Sequence, residues 1–398
     1  MKKKIAEIIK VVNDAGEIKN QRELARIAGM SLSSVSQTLQ LARQKNFLIE
    51  QGGAIKLSDE GKKYLDIFSV DNAIIMAAGV GSRFAPITHN TPKALIKIKG
   101  VPIIERLIGQ LHEKGIKEII VVVGYMKEKF EYLAEKYGVT LVYNKDYAKK
   151  NNIGTLYHVL PYLKSSYILC ADNWLENNFF AKHELRSWYC VKHFDEQTNE
   201  WCVTTKGDKI TKITIGGANS KALYGPAYFS AEFSKTFSQL IEKYYGKAEA
   251  DNYYWEDLWI KYLSKLPMYI NDRNDVYEFD SLSDLRQFDN SNTCTFMSNL
   301  IGALDDNDGK SVRFKEFIDY LGDQKFAQLL SENGIAVKQD ASLTNKTYKI
   351  LWNREDYILR IPGQGIEKYI NRHCEHNFTL LAFGFDLYPY TEFYDDGI

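Results

Sequence analysis

Between residues 72 and 95 the chain reads NAIIMAAGVGSRFAPITHNTPKAL, and most of its chemistry radiates from that stretch. Gly79 and Gly81 follow a short apolar run, Ser82 and Arg83 come next, and Lys93 stands ten residues beyond Arg83. Glycine leaves no Cβ between backbone N–H groups and a phosphate, while guanidinium and ammonium groups supply the cationic donors a polyphosphate needs. Ala78, Gly79, Gly81 and Ser82 are therefore candidate nucleotide-binding residues, and Arg83 and Lys93 candidate catalytic cations for a transition state and its leaving pyrophosphate. Two common phosphate motifs fail. Phe84 stands where G-x-G-x-x-G needs its third glycine, and the Gly-Lys-Ser/Thr ending of a P-loop is absent.

A nucleoside triphosphate also asks for a divalent metal, and carboxylates are its natural ligands. Asp172 ends the apolar run Ile168-Leu169-Cys170-Ala171, and Glu256 and Asp257 stand side by side later in the chain. These three are the candidate Mg²⁺ ligands. A helix-capping role competes for Asp172, and a solvated helix start competes for the other two. A phosphate acceptor is already ionised, so no general base is required. Trp201, Tyr254 and Trp255 are candidate substrate-binding residues, because aromatic faces can meet a cationic group. Ordinary core packing is the competing reading.

The elements that must position these residues alternate. From residue 70 the pattern gives a strand at Ala73–Ala78, a helix from Pro102 to Lys114 and a strand from Glu118 to Tyr125. A helix then runs from Lys127 to Tyr137, a strand from Val139 to Asn144, a helix from Asn151 to Leu163 and a strand from Ser166 to Asn173. Repeated β-α units predict an α/β, mostly parallel Rossmann-like sheet with helices on both faces and ligands at the carboxyl ends of the strands. Gly81, Tyr125, Asn144 and Asp172 fall at such ends, so one cleft should gather them. Tyr125, Asn144, Asn152 and Gly154 are the candidates for the base pocket.

The run Ala77-Ala78-Gly79-Val80-Gly81-Ser82-Arg83-Phe84, with Pro86, Thr88 and Pro92-Lys93-Ala94-Leu95, resembles the signature of nucleotidyltransferases that activate sugar phosphates and phosphocholine. Further segments narrow the resemblance to bacterial phosphocholine cytidylyltransferases. They are Val123-Gly124-Tyr125, Tyr143-Asn144 with Asn151-Asn152, Ala171-Asp172-Asn173, Thr198-Asn199-Glu200-Trp201, Tyr254-Trp255-Glu256-Asp257-Leu258 and Tyr277-Glu278-Phe279-Asp280-Ser281. The resemblance implies Mg²⁺-dependent transfer from CTP to phosphocholine, giving CDP-choline and pyrophosphate. Phosphoethanolamine, aminoethylphosphonate or a sugar 1-phosphate are the alternative acceptors. A choline-responsive regulator whose enzyme domain only senses is the alternative of another kind.

Four segments are expected: 1–69, 70–290, 291–334 and 335–398. The first gives helix, helix, turn, helix and hairpin, an order that resembles the winged helix-turn-helix family; DNA binding competes with dimerisation or a vestigial appendage as its role. Its third helix, Ser31 to Lys45, is rich in Ser and Gln and thinly charged. Residues 291–334 read as polar linker and helices. Residues 341–378 resemble the amino-terminal lobe of choline/ethanolamine kinases, with Leu343-Thr344-Asn345 as a turn over ATP, Arg360 as the third-strand cation and Glu375 as its helix partner. No catalytic loop follows within the 398 residues, so this partial lobe is expected to be inactive on this chain.

Composition sets outer bounds. Lys plus Arg and Asp plus Glu number 51 each, so no global field favours nucleic acid, and charge recognition must be local. The five cysteines form no C-x-x-C pair, which argues against zinc and a disulfide framework. No apolar run reaches the roughly 18 residues of a membrane span, and the lysine-rich start lacks a signal-peptide core. A cytoplasmic protein is expected, with no membrane partner.

Overall fold

A computed structural model of the chain describes residues 2–84, 88, 91–279, 284–285, 288–289, 338–341, 345–352 and 355–362. The chain divides into two units, Met1–Ser82 with Thr91–Ser281 and Arg83–Asn90 with Leu282–Ile398.

The first unit opens with α1 (Lys2–Ala15), α2 (Gln21–Ala28), α3 (Leu32–Gln44), the hairpin β1 (Leu48–Gln51) and β2 (Ala54–Leu57), and α4 (Asp59–Asp66). Asn20, Ser31 and Ser58 cap α2, α3 and α4 by accepting backbone N–H bonds, and Gly29 takes the left-handed φ of 62° that lets α2 stop. Ile5, Ile8, Ile9, Val12, Leu24, Val35 and Leu39 close one small core. The exposed Arg43 near the end of α3 is paired with Glu50 of the hairpin at 3.0 Å, so that face is less cationic than its sequence. Direct contacts join these elements to residues of the sheet region. Val70 N–H donates to Lys182 O at 2.9 Å, Glu184 N–H donates to Phe68 O at 2.9 Å, and the Lys3 ammonium lies 5.0 Å from the Tyr269 ring centre.

The large sheet is built from β3 (Asn72–Ala77), β6 (Glu118–Val123), β7 (Thr140–Tyr143), β8 (Ser166–Cys170), β10 (Trp188–Phe194), β11 (Thr198–Lys206), β12 (Lys209–Gly217), β13 (Ser220–Phe229) and β14 (Tyr269–Asp272). Short pairs stand outside it: β4 (Lys97–Ile98) with β5 (Val101–Pro102), and β9 (Asn173–Leu175) with β15 (Val276–Glu278). The helices are α5 (Ile103–Glu113), α6 (Glu131–Tyr137), α7 (Asn152–Tyr157), α8 (Ala231–Tyr245) and α9 (Trp255–Lys261).

Strand order is β10-β14-β12-β11-β13-β8-β3-β6-β7. The β8-β3-β6-β7 half is parallel, as the β-α alternation predicts. The other half is mainly antiparallel, so the sheet is mixed rather than mostly parallel. The reason lies in the two-residue turns at Gly207-Asp208 and Ala218-Asn219. Gly207 at φ 63° lets β11 and β12 fold back as a hairpin without a crossover helix, and after the turn at Asn219, φ 47°, β13 pairs antiparallel with β11 and β10. Ile74, Ile120, Val122 and Ile168 share one core with Ile153, Phe233, Phe237, Trp255 and Trp259 from α7, α8 and α9. Alternate residues Ala73, Ile75, Ile119 and Val121 point to the opposite face and are equally buried.

In the second unit β16 (Lys338–Ala341), β17 (Asn345–Trp352) and β18 (Glu355–Pro362) form an antiparallel sheet in that order, with Arg360 on its third strand opposite Thr347. Leu343, Thr344, Glu375 and residues 291–334 lie outside the described residues.

Candidate active site

Parallel register places the carboxyl ends of β8, β3, β6 and β7 side by side, so the loops after Ala77, Val123, Tyr143 and Cys170 are neighbours. The glycine loop is fastened at its first residue. Tyr125 N–H donates to Ala78 O at 3.1 Å, and Gly124 makes that approach possible, because a Cβ there would stand 2.6 Å from Ala78 O and 2.7 Å from the Tyr147 side chain. Ala78 is buried, Gly79 is exposed, and Gly81 uses a φ of 68°. Ser82 and Arg83 open a 3-10 turn, Ser82–Phe84, in which Arg83 is exposed. Gly154 is buried inside α7 and Tyr125 is half-buried.

Two base-pocket candidates are engaged in internal bonds. The Asn144 amide donates to Thr155 Oγ1 at 3.1 Å and its Oδ1 accepts Asp146 N–H at 2.9 Å, so it shapes the loop after β7. Asn152 Oδ1 accepts Trp255 N–H at 2.7 Å, and its amide donates to Glu256 Oε2 at 3.4 Å. Asn152 ties α7 to α9.

Lys93 opens the short turn Lys93–Leu95, and its ammonium lies 2.9 Å from Asp172 Oδ2. Asp172 follows the buried β8 and stands immediately before β9. The carboxylate that shares a hydrogen-bond partner with it is Glu278. Asn173 donates to Asp172 Oδ1 at 3.3 Å and to Glu278 Oε1 at 2.8 Å, while the β9–β15 ladder sets Asn173 opposite Glu278. Glu278 Oε1 also accepts Gly225 N–H at 3.0 Å. Glu256 is buried, takes the Tyr189 hydroxyl at 2.9 Å, and is pushed up to about 7 chiefly by that burial. Asp257 accepts Tyr254 N–H at 2.8 Å as a helix-capping group. Among the described residues no three His, Cys, Asp or Glu side chains form a ready-made metal cluster. Asp280 lies outside them.

The aromatic candidates separate. Trp201 on β11 meets Tyr254 edge to face, with ring centres 5.9 Å apart and planes at 87°, and Tyr254 is 47% exposed. Trp255, 1% exposed, is stacked on Tyr189 at 5.4 Å and met by Phe229 at 5.0 Å, so its faces are used by the core. Sequence reasoning missed Glu278 as a site residue. Its signal was an acid near the end of the short β-prone run Val276-Tyr277-Glu278, but its partner Asn173 stands 105 residues earlier.

A β-α sheet whose glycine loop, Lys93 and paired acids meet at the strand ends is the architecture of a nucleotidyltransferase. Residues 73–173 match the family described as MobA-like NTP transferase domain. The chain is 40% identical over 220 residues to a choline-phosphate cytidylyltransferase of Streptococcus pneumoniae, covering 54% of this chain and 96% of that one. It is 36% identical to a 2-aminoethylphosphonate cytidylyltransferase of Lancefieldella rimae, covering 55% and 92%. The solved CTP:phosphocholine cytidylyltransferase from Streptococcus pneumoniae superposes with a TM-score of 0.54 at 38% identity, over 55% of this chain and 98% of that one. This chain belongs to the cytidylyltransferase family of nucleotidyltransferases.

Proposed function

We propose that the enzyme transfers the cytidylyl group of CTP to phosphocholine. A phosphocholine oxygen attacks the α-phosphorus, the bond from that phosphorus to the bridging oxygen breaks, and pyrophosphate departs with the electron pair. CDP-choline is the other product. The observation that carries the acceptor is the Trp201–Tyr254 pair, two perpendicular rings with one of them exposed, as a group without N–H donors requires. The 40% identity to a choline-phosphate cytidylyltransferase supports the same reading.

Lys93 and the glycine loop hold the triphosphate in line and neutralise the leaving pyrophosphate. Mg²⁺ fits the residues present. Asp172 and Glu278 are hard oxygen donors drawn to one amide, and a small cation satisfied by few carboxylates takes its remaining ligands from phosphate oxygens and water. When bound, it supplies charge neutralisation at the phosphates. Lys93 meanwhile keeps Asp172 oriented at 2.9 Å.

The 2-aminoethylphosphonate enzyme at 36% identity favours a second acceptor, whose primary ammonium could use the same rings. Pyrophosphate release measured with CTP against phosphocholine, phosphoethanolamine, 2-aminoethylphosphonate and a sugar 1-phosphate decides between them. Phosphocholine should have the highest kcat/KM, and a sugar phosphate outrunning it ends the choline reading. UTP and dTTP in place of CTP test the base.

A further inference from the structure

One half-buried cation beside the acids has no part in the grip of Lys93 and the glycine loop on the triphosphate. Lys192 sits on β10, and its ammonium is cupped by two rings from other strands, 4.8 Å from the Tyr224 centre and 5.1 Å from the Tyr277 centre. Register explains the meeting. Lys192 pairs with Ala222 on β13, which puts Tyr224 two residues along on the same face, and Tyr277 precedes Glu278 on β15. The Tyr224 hydroxyl accepts Glu278 N–H at 2.8 Å, so the rings and the acid form one assembly. Within it, Glu278 reaches Asp172 through Asn173.

Lys192 makes no hydrogen bond and no ion pair among the described residues. Other half-buried lysines here differ: Lys93 is bound to Asp172 and Lys150 to Asp251. Two aromatic faces attract an ammonium but leave its N–H groups unspent, and a partly desolvated cation is costly without an anion. Glu278 attracts the Lys192 ammonium through space without reaching it as an ion pair, so its N–H groups remain for an anion that arrives with a ligand.

We infer that Lys192 binds the phosphate of the acceptor, gripping the nucleophile from the β10 side while Lys93 and the glycine loop grip CTP. This rests on the reading of the enzyme as one that activates a phosphorylated acceptor, and it holds for any phosphate or phosphonate in that role. Tyr224 and Tyr277 then orient Lys192 rather than touch the substrate. A trimethylammonium needs Trp201 and Tyr254, whereas the phosphate end needs a donor of N–H bonds. Lys192 supplies that second end.

The test compares wild type with Lys192→Gln, Lys192→Met and Lys192→Arg, using initial rates of pyrophosphate release. Methionine keeps most of the apolar stem under the rings, so it preserves folding if glutamine does not, and thermal melting with an unchanged KM for CTP certifies each variant. The Gln and Met variants should raise the acceptor KM about tenfold to a hundredfold, the scale of one charge-assisted bond. The Arg variant should stay within several-fold of wild type. Choline, which lacks the phosphate, should inhibit wild type and Lys192→Met with equal Ki. A folded Lys192→Met enzyme whose acceptor KM is unchanged overturns the assignment, as does one in which choline and acceptor weaken alike. If wild type prefers 2-aminoethylphosphonate, the phosphocholine reading fails while the Lys192 test is read on that acceptor's KM.

Discussion

Replacing Trp201 by leucine separates packing from ammonium recognition. The Trp201 ring is partly buried against the sheet core and meets Tyr254 at 5.9 Å, so leucine retains part of the apolar contact but no ring. Losing the edge-to-face pair costs about 0.5 to 1.5 kcal/mol of stability. A partly exposed site leaves less cavity than the roughly 3 to 5 kcal/mol of a buried Trp→Ala change. The variant should therefore remain folded, melting a few degrees lower. If the ring faces a trimethylammonium, about 0.5 to 2 kcal/mol of cation–π attraction goes with it. At about 1.4 kcal/mol per tenfold, that is roughly a 2- to 30-fold rise in the phosphocholine KM. Initial rates at saturating CTP, beside CTP titrations at saturating phosphocholine, should show the first KM moving and the second steady. Phenylalanine should fall between. A folded Trp201→Leu enzyme with unchanged phosphocholine kinetics refutes the assignment and leaves exposed Tyr254 as the remaining aromatic candidate.

Lys93→Met and Asp172→Asn should each lower kcat at least about a hundredfold, the scale of losing one transition-state electrostatic contact; a folded variant with near wild-type turnover removes that residue from the mechanism. Gly124→Ala forces a Cβ within 2.6 Å of Ala78 O, so the glycine loop must shift and the KM for CTP should rise more than about tenfold, and an unchanged value would show the loop position to be irrelevant. Glu256, raised to about 7 from 4.5 by burial, gives a pH test. Its unfolded form loses the proton first, so the native state binds more protons above pH 4.5, and stability falls as pH rises until the folded pKa near 7 is passed. Between pH 6 and 8 the fall should be on the order of 1 kcal/mol in urea unfolding. Glu256→Gln should flatten that part of the profile, and an identical pH slope in both proteins would contradict the role given to burial.

Much of the central sheet was legible because β3, β6 and β8 are apolar on both faces, and only a strand covered on both sides reads that way. Other features failed for local reasons. The helix expected over Asn151 to Leu163 ends at Tyr157, and a 3-10 turn at Leu160–Tyr162 follows. Pro161 has no N–H to continue the α-helical ladder and disfavours α geometry in Leu160 before it. The mixed sheet escapes a β-α pattern that stops at Asn173, because Gly207-Asp208 carries the β11–β12 hairpin signal further on. Glu278 reaches Asp172 through a strand pairing that spans about a quarter of the chain, which no local spacing encodes.

The neighbours Tyr254 and Trp255 show how a finer reading divides the site from the core. Both are candidates for the ammonium because both are aromatic, yet Trp255, Leu258 and Trp259 recur at i, i+3 and i+4, the stripe a helix turns inward. All three are buried. Tyr254 precedes that stripe as the residue capping α9, and Asp257 falls off it, held to Tyr254 N–H. Glu256 also escapes the stripe but is buried, because Tyr189 and Asn152 supply donors to a carboxyl that burial holds near neutrality. Periodicity therefore separates the ring that packs from the ring that remains available, whereas the burial of an acid depends on donors brought from other elements, Tyr189 from β10 and Asn152 from α7.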